Sequence, residues 1–205
     1  MTMASSLPDI SFADARDLLL EILDLDPAAK PAMRARIRQL QKLGLDQLEA
    51  RYARRDYGLT ELAKLATAFR MMQAFMLPSI AVRYLTERWQ DLVPALLAGI
   101  GQDFAENLGV AEPIPNTPIV LIEGITLSRF GQKGANDARY DGPLGMILCL
   151  PVENAMIEVH KPASGLLLDS RSFMPALVSA LQVKAALSGR QLAHEIDRLA
   201  ASCNL

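Results

Sequence analysis

Pro31-Ala32-Met33-Arg34-Ala35-Arg36-Ile37-Arg38-Gln39-Leu40-Gln41-Lys42-Leu43-Gly44 carries an apolar pattern and a basic pattern on the same residues. Proline fits the first turn of a helix, where its missing N–H is not needed, and glycine fits the position just past the end. At about 100° per residue, Met33, Ile37 and Leu40 fall in one narrow stripe. Arg34, Arg38 and Gln41 share a different face, with Lys42 at its margin, and Arg36 lies on the other side of the apolar stripe. The spacing therefore predicts a helix over 31–43 that packs on its Met-Ile-Leu stripe and presents Arg and Gln outward.

That combination suits a helix that enters a DNA major groove. Arg matches the acceptors of guanine, Gln matches adenine, and further Arg and Lys neutralise phosphates. The charge distribution points the same way. The chain of 205 residues has a formal net charge of only −2, yet Lys30 to Arg88 holds a local net of +7 and the remainder a net of −9. Such asymmetry separates a polyanion-binding part from a part without that role, although a solvated basic surface gives the same count.

Upstream, Ser11 precedes Phe12-Ala13-Asp14, a capping pattern. Phe12, Ala15, Leu19, Ile22 and Leu23 then form one stripe of a first helix, acidic on its outer side and ended by Asp24-Leu25-Asp26-Pro27. Downstream, a short connection over 45–57 contains Arg51, Tyr52, Arg54, Arg55 and Tyr57. Its arginines are placed to reach flanking backbone or a minor groove, and Tyr52 and Tyr57 to pack the loop or donate to phosphates. A third helix is expected over about 59–75, and a fourth from Ile80 capped by Ser79. Helical character continues to about Leu108, with Pro94 as a kink or break.

Residues 36–45, Arg-Ile-Arg-Gln-Leu-Gln-Lys-Leu-Gly-Leu, resemble the recognition helix of MerR-type regulators through Ile37-Arg38 and the closing Gly44-Leu45. Arg55-Asp56-Tyr57 is similar to the pattern that closes the wing in that family. The following helix pair, with Leu62, Leu65, the turn at Met76–Ser79, Ile80 and Leu85, also matches. The resemblance covers about residues 9–90. It implies a winged helix-turn-helix in which Arg38 contacts a phosphate and Arg55 does so from the wing. Arg34 and Gln41 rest on helix geometry alone. Gln39 and Leu40 stand where the family has aromatic residues, the turn Leu25–Pro31 is longer than the family's, and the wing lacks the usual glycine.

The expected architecture is α+β and mostly helical. A MerR-like winged helix-turn-helix over 9–90 is followed by a helical linker or dimerisation segment over 91–112 and a small α+β domain over 117–205. Glu112–Pro118 marks the change with three prolines. Short apolar runs at Ile119–Ile122, Ile125–Phe130, Leu144–Leu150 and Met156–Val159 read as strands, and two helices close the chain at about 171–187 and 190–202. Val82, Leu85, Trp89, Leu92 and Leu96 form an apolar face that suits a homodimer reading two half-sites, or packing within the same chain.

Cys149 and Cys203 are far apart, and only His160 and His194 add imidazole, so no metal site is expected. No cofactor is expected either. The segment Gly131-Gln132-Lys133-Gly134 lacks the ending of a phosphate loop. Glu158 and His160 would share one face of a strand, but no nucleophile elbow accompanies them and no enzyme is expected. With no signal-peptide pattern and no run near the roughly 18–20 apolar residues of a membrane span, the expected location is cytoplasmic. The expected function is a sequence-specific transcription regulator. Its partners would be double-stranded DNA, a second copy of itself and the transcription machinery, with no membrane. The alternative is an interaction or assembly module using the winged helix for protein contact.

Overall fold

In a computed structural model of the chain, which describes residues 10–45, 57–110, 114–124, 142–159 and 165–202, helix α1 (Phe12–Ile22) begins where the Ser11 hydroxyl accepts the Asp14 N–H at 3.2 Å. This satisfies one of the donors a helix start leaves free. The helix closes through Asp24, whose φ of 52° lets the Leu25 N–H reach back to the Leu20 carbonyl. The Asp26 carboxylate then accepts the Ala28 N–H and starts a single 3-10 turn, Pro27–Ala29. That turn leads into α2 (Lys30–Lys42), with Pro31 in its first turn. Gly44, at φ 101°, ends α2: its N–H bonds the Gln41 carbonyl and the Leu45 N–H bonds the Leu40 carbonyl. Two orphan carbonyls are thereby satisfied.

Helix α3 (Leu59–Gln73) is followed by α4 (Pro78–Glu87), α5 (Trp89–Ile100) and α6 (Gln102–Leu108). Leu77, not Ser79, precedes α4, because Pro78 with its fixed φ takes the first helical position. The break in the long helical stretch falls at Arg88 and again at Gly101, whose φ is 91°. Pro94 sits inside α5 and gives up only its own bond to the preceding turn.

Three antiparallel strands form one sheet in the order β2-β1-β3, with β1 (Ile119–Glu123) between β2 (Ile147–Leu150) and β3 (Gly165–Asp169). Leu121 faces Leu148 on one side and Leu167 on the other. Val120, Ile122, Ile147, Leu166 and Leu168 turn into the core. The expected strand at Ile125–Phe130 lies outside the described residues. Met156–Val159 is not a strand: it is the end of α7 (Val152–Val159), which starts as the Pro151 carbonyl accepts the Ala155 N–H at 3.0 Å. Three apolar residues in a run of four suit either structure, and here the edge beside β1 is taken by Gly165–Asp169. Helices α8 (Met174–Lys184) and α9 (Gly189–Ala201) complete the chain, the latter opened by reciprocal bonds between Ser188 and Gln191.

One continuous cluster of buried apolar side chains runs from Ile10 to Leu199. Helices α1, α3 and α5 pack against α8, and α3 and α5 also against α9. Segments 9–90 and 117–205 therefore share a core. Val82, Leu85, Trp89, Leu92 and Leu96, the face suited to a homodimer, are each at most 8% exposed within a single chain. Of the two uses open to that stripe, packing within the chain is the one observed, and it leaves no such face for a second copy.

Polar contacts also tie later segments to earlier ones. The Leu59 N–H at the start of α3 donates to the buried Glu195 carboxylate of α9 at 3.0 Å. The Ser170 hydroxyl lies 2.6 Å from the Ala95 carbonyl of α5 and 2.7 Å from the Pro118 carbonyl before β1. Gly99 makes room for Ser170: a Cβ at that position would stand 2.8 Å from the Ser170 carbonyl carbon.

Candidate nucleic-acid interface

Helix α2 buries only Met33, Ile37 and Leu40, the stripe the spacing predicts. These three pack toward α1 and α4, and each fully buried side chain of this kind stabilises by roughly 1.5–3 kcal/mol. The rest of the helix faces out. Arg34, Arg36, Arg38, Gln39 and Lys42 are exposed. Arg36 donates to the Gln39 side chain at 2.8 Å. Among the described residues, Arg34, Arg38 and Lys42 have no hydrogen-bond or ion-pair partner.

A shallow cleft of about 390 Å³ lies between α1 and α2, lined by Arg16, Lys30, Pro31, Arg34, Ala35 and Arg38. Four basic side chains thus converge, of which Arg16 and Lys30 are additions to the sequence-derived set. Lys30 was legible in principle, since Lys30, Arg34, Arg38 and Lys42 follow each other at intervals of four residues along one side of the helix. Arg16 belongs to another helix, and only packing brings it here.

Among the described residues, one carboxylate is bonded to these cations. Asp17 accepts from the Arg16 guanidinium at 2.7 Å and from the Lys30 ammonium at 3.0 Å. Burial opposes ionisation of this carboxyl. The hydrogen bonds from Lys30 and Arg16, with their charges, outweigh that opposition and hold Asp17 below its ordinary value.

Gln41 and Tyr57 take a different part from the exposed cations. The Gln41 amide donates to the Tyr57 hydroxyl at 2.9 Å. Tyr57 is only 2% exposed, packs edge-on against Phe12 and forms an antiparallel bridge with Ile10. A ring in that position anchors the return of the chain toward α3 and does not itself extend to the surface. Arg51, Tyr52, Arg54 and Arg55 lie outside the described residues, and with them the expected wing.

Elsewhere, Glu158 lies on the helix α7 and not on a strand, and His160 lies outside the described residues. His194 is exposed on α9, and Met71 and Met76 are core residues. The Cys149 thiol donates to the Asp91 carbonyl at 3.0 Å, and Cys203 lies outside the described residues. Among the described residues, no group of three or more His, Cys, Asp or Glu side chains is placed to hold a metal ion. No helix among them is long and apolar enough to cross a membrane. Compared with known proteins, the chain matches no protein-family model, no curated protein and no solved structure.

Proposed function

We propose that this chain is a sequence-specific DNA-binding transcription regulator of the MerR-like winged helix-turn-helix kind, acting in the cytoplasm, in which α2 enters the major groove. The observation that carries the reading is α2 itself: a helix held to the body by Met33, Ile37 and Leu40 while Arg34, Arg38 and Lys42 stand exposed without partners among the described residues. A helix backbone fixed by a buried stripe presents these cations toward phosphates and base edges, and only their side chains have to be ordered on binding. In this reading Arg34 and Arg38 make the contacts, Gln41 and Tyr57 hold the segment beside α2, and Arg51, Arg54 and Arg55 supply the wing. A homodimer on two half-sites, engaging the transcription machinery, belongs to the same proposal, but it needs a surface other than the buried stripe of α4 and α5.

The test is a titration of random and genomic duplex DNA over a range of salt. Affinity is expected to fall roughly a hundredfold between about 50 and 200 mM monovalent salt, as counterions displaced from several phosphates are regained. Replacing Arg34 and Arg38 together by Ala is expected to cost about a hundredfold or more. Undetectable or salt-independent binding sinks the reading. Light scattering at micromolar concentration measures the oligomeric state.

A second reading has its own observation. Asp14 and Glu21 are exposed on α1 beside the basic helix, and a face of mixed charge suits a protein partner. In that case duplex DNA would not bind, and the Arg34 and Arg38 variant would lose a protein contact instead.

A further inference from the structure

We infer that the α1–α2 cleft is a phosphate-binding site in which Asp17 acts as a built-in competitor, holding Arg16 and Lys30 until a phosphate oxygen replaces it. The inference rests on the DNA-binding reading, and it names the group of the nucleic acid that this part of the surface receives.

Arg16, Lys30, Arg34 and Arg38 line one cleft, and Asp17 is the carboxylate bonded to two of them. These five groups sum to three positive charges, an arrangement that favours an anion. The cleft is also wide enough: its volume of about 390 Å³ exceeds that of a phosphate group by severalfold. The cations fall into two classes. Arg16 and Lys30 are already fixed by Asp17, with side chains 20% and 46% exposed. Arg34 and Arg38 are free of protein partners among the described residues.

A tetrahedral anion in the cleft takes hydrogen bonds from Arg34 and Arg38 without displacing anything. It gains Lys30 or Arg16 only in competition with Asp17. Guanidinium and phosphate pair strongly and bidentately, so the exchange is favourable. Asp17 nevertheless reduces its yield, because its charge stays close by. The carboxylate thus preorders two cations and also limits how tightly the backbone is held. A regulator that slides along non-specific DNA benefits from such a limit, since phosphate contacts carry no sequence information.

The experiment measures binding of a random-sequence duplex across salt for the full chain and three variants, with melting curves to confirm folding. Asp17→Asn is expected to tighten binding by roughly threefold to tenfold and to steepen the salt dependence by about one phosphate. Lys30→Ala and Arg16→Ala are expected to weaken it by a similar factor on every sequence and to flatten the dependence by about one. A second arm titrates inorganic phosphate against backbone amide resonances, where shifts confined to residues around 16–17 and 30–38 are expected. If the duplex binds and the Arg34 and Arg38 double variant abolishes binding, while Asp17→Asn, Lys30→Ala and Arg16→Ala leave affinity and slope unchanged, the inference is overturned and the DNA reading stands. If inorganic phosphate shifts the cleft amides but no duplex binds, the site stands and the DNA reading fails. Loss of affinity on Asp17→Asn in a folded variant overturns the competitor role directly.

Discussion

Helices α2 and α5 are nearly the same length, thirteen and twelve residues, yet α2 buries three residues and α5 buries nine. Their sequences already differ: α2 is polar outside one apolar stripe, whereas α5 has only Gln90 and Asp91 as polar residues. They also differ in how many elements surround them. Helix α2 meets α1 and α4 along one side and leaves its cations to solvent, whereas α5 is enclosed by the sheet, α8, α9 and the turn at Ser170–Ser172. A surface helix can change its exposed residues for function at little cost to the fold. A central helix cannot, because each of its faces meets a neighbour.

The sharpest way to break that contrast is at Gly99 on α5. Gly99→Ala gains helix propensity, but its methyl collides with Ser170 and disturbs the hydroxyl that bonds Ala95 and Pro118. A net destabilisation of about 1–3 kcal/mol is expected from overpacking, read as a lower midpoint in urea. A melt unchanged from wild type would mean that the α5 junction is looser than its geometry.

On α2 the expectation is the reverse. Replacing Arg34 and Arg38 together by Ala should shift stability by no more than about 0.5 kcal/mol, since neither side chain is buried or paired among the described residues. The same variant is the one expected to lose DNA. A large drop in the urea midpoint would show that these arginines serve the fold.

The smallest effect concerns Asp17. Its folded value lies below the ordinary 3.8, so the contribution of its pairs with Lys30 and Arg16 is fully present above that ordinary value. It is lost as pH falls through the lowered folded value. Melting curves of wild type and Asp17→Asn should differ slightly near neutral pH and draw together as pH falls below the ordinary carboxylate value. A gap that widens on acidification contradicts the assignment.

Much of the early half is legible from residues close in sequence. The Ser11 start of α1, Pro31 and Gly44 at the two ends of α2, and the stripe Met33, Ile37, Leu40 all follow from hydrogen bonds and periodicities spanning a few residues. The later half was less legible. Met156–Val159 has too few apolar residues to distinguish strand from helix, and Gly165–Asp169 becomes a strand because β1 offers it a partner across the sheet. Gln41 shows the same limit within the candidate site. Helix geometry puts it beside Arg34 and Arg38, but Tyr57, sixteen residues away, takes its amide.

What the amino-acid order alone determined is therefore the helical character of most of the chain, the apolar stripe of α2 and the basic face opposite it. Those features depend on contacts within one or two turns. Tertiary structure decided that the stripe of α4 and α5 is buried within the chain, with α5 packed on the late helices, and that Arg16 of α1 meets Lys30, Arg34 and Arg38 of α2 in one cleft, with Asp17 bonded to two of them. Side chains on separate helices meet only when a shared core sets the distance between the helices, and no local pattern in the sequence encodes that distance.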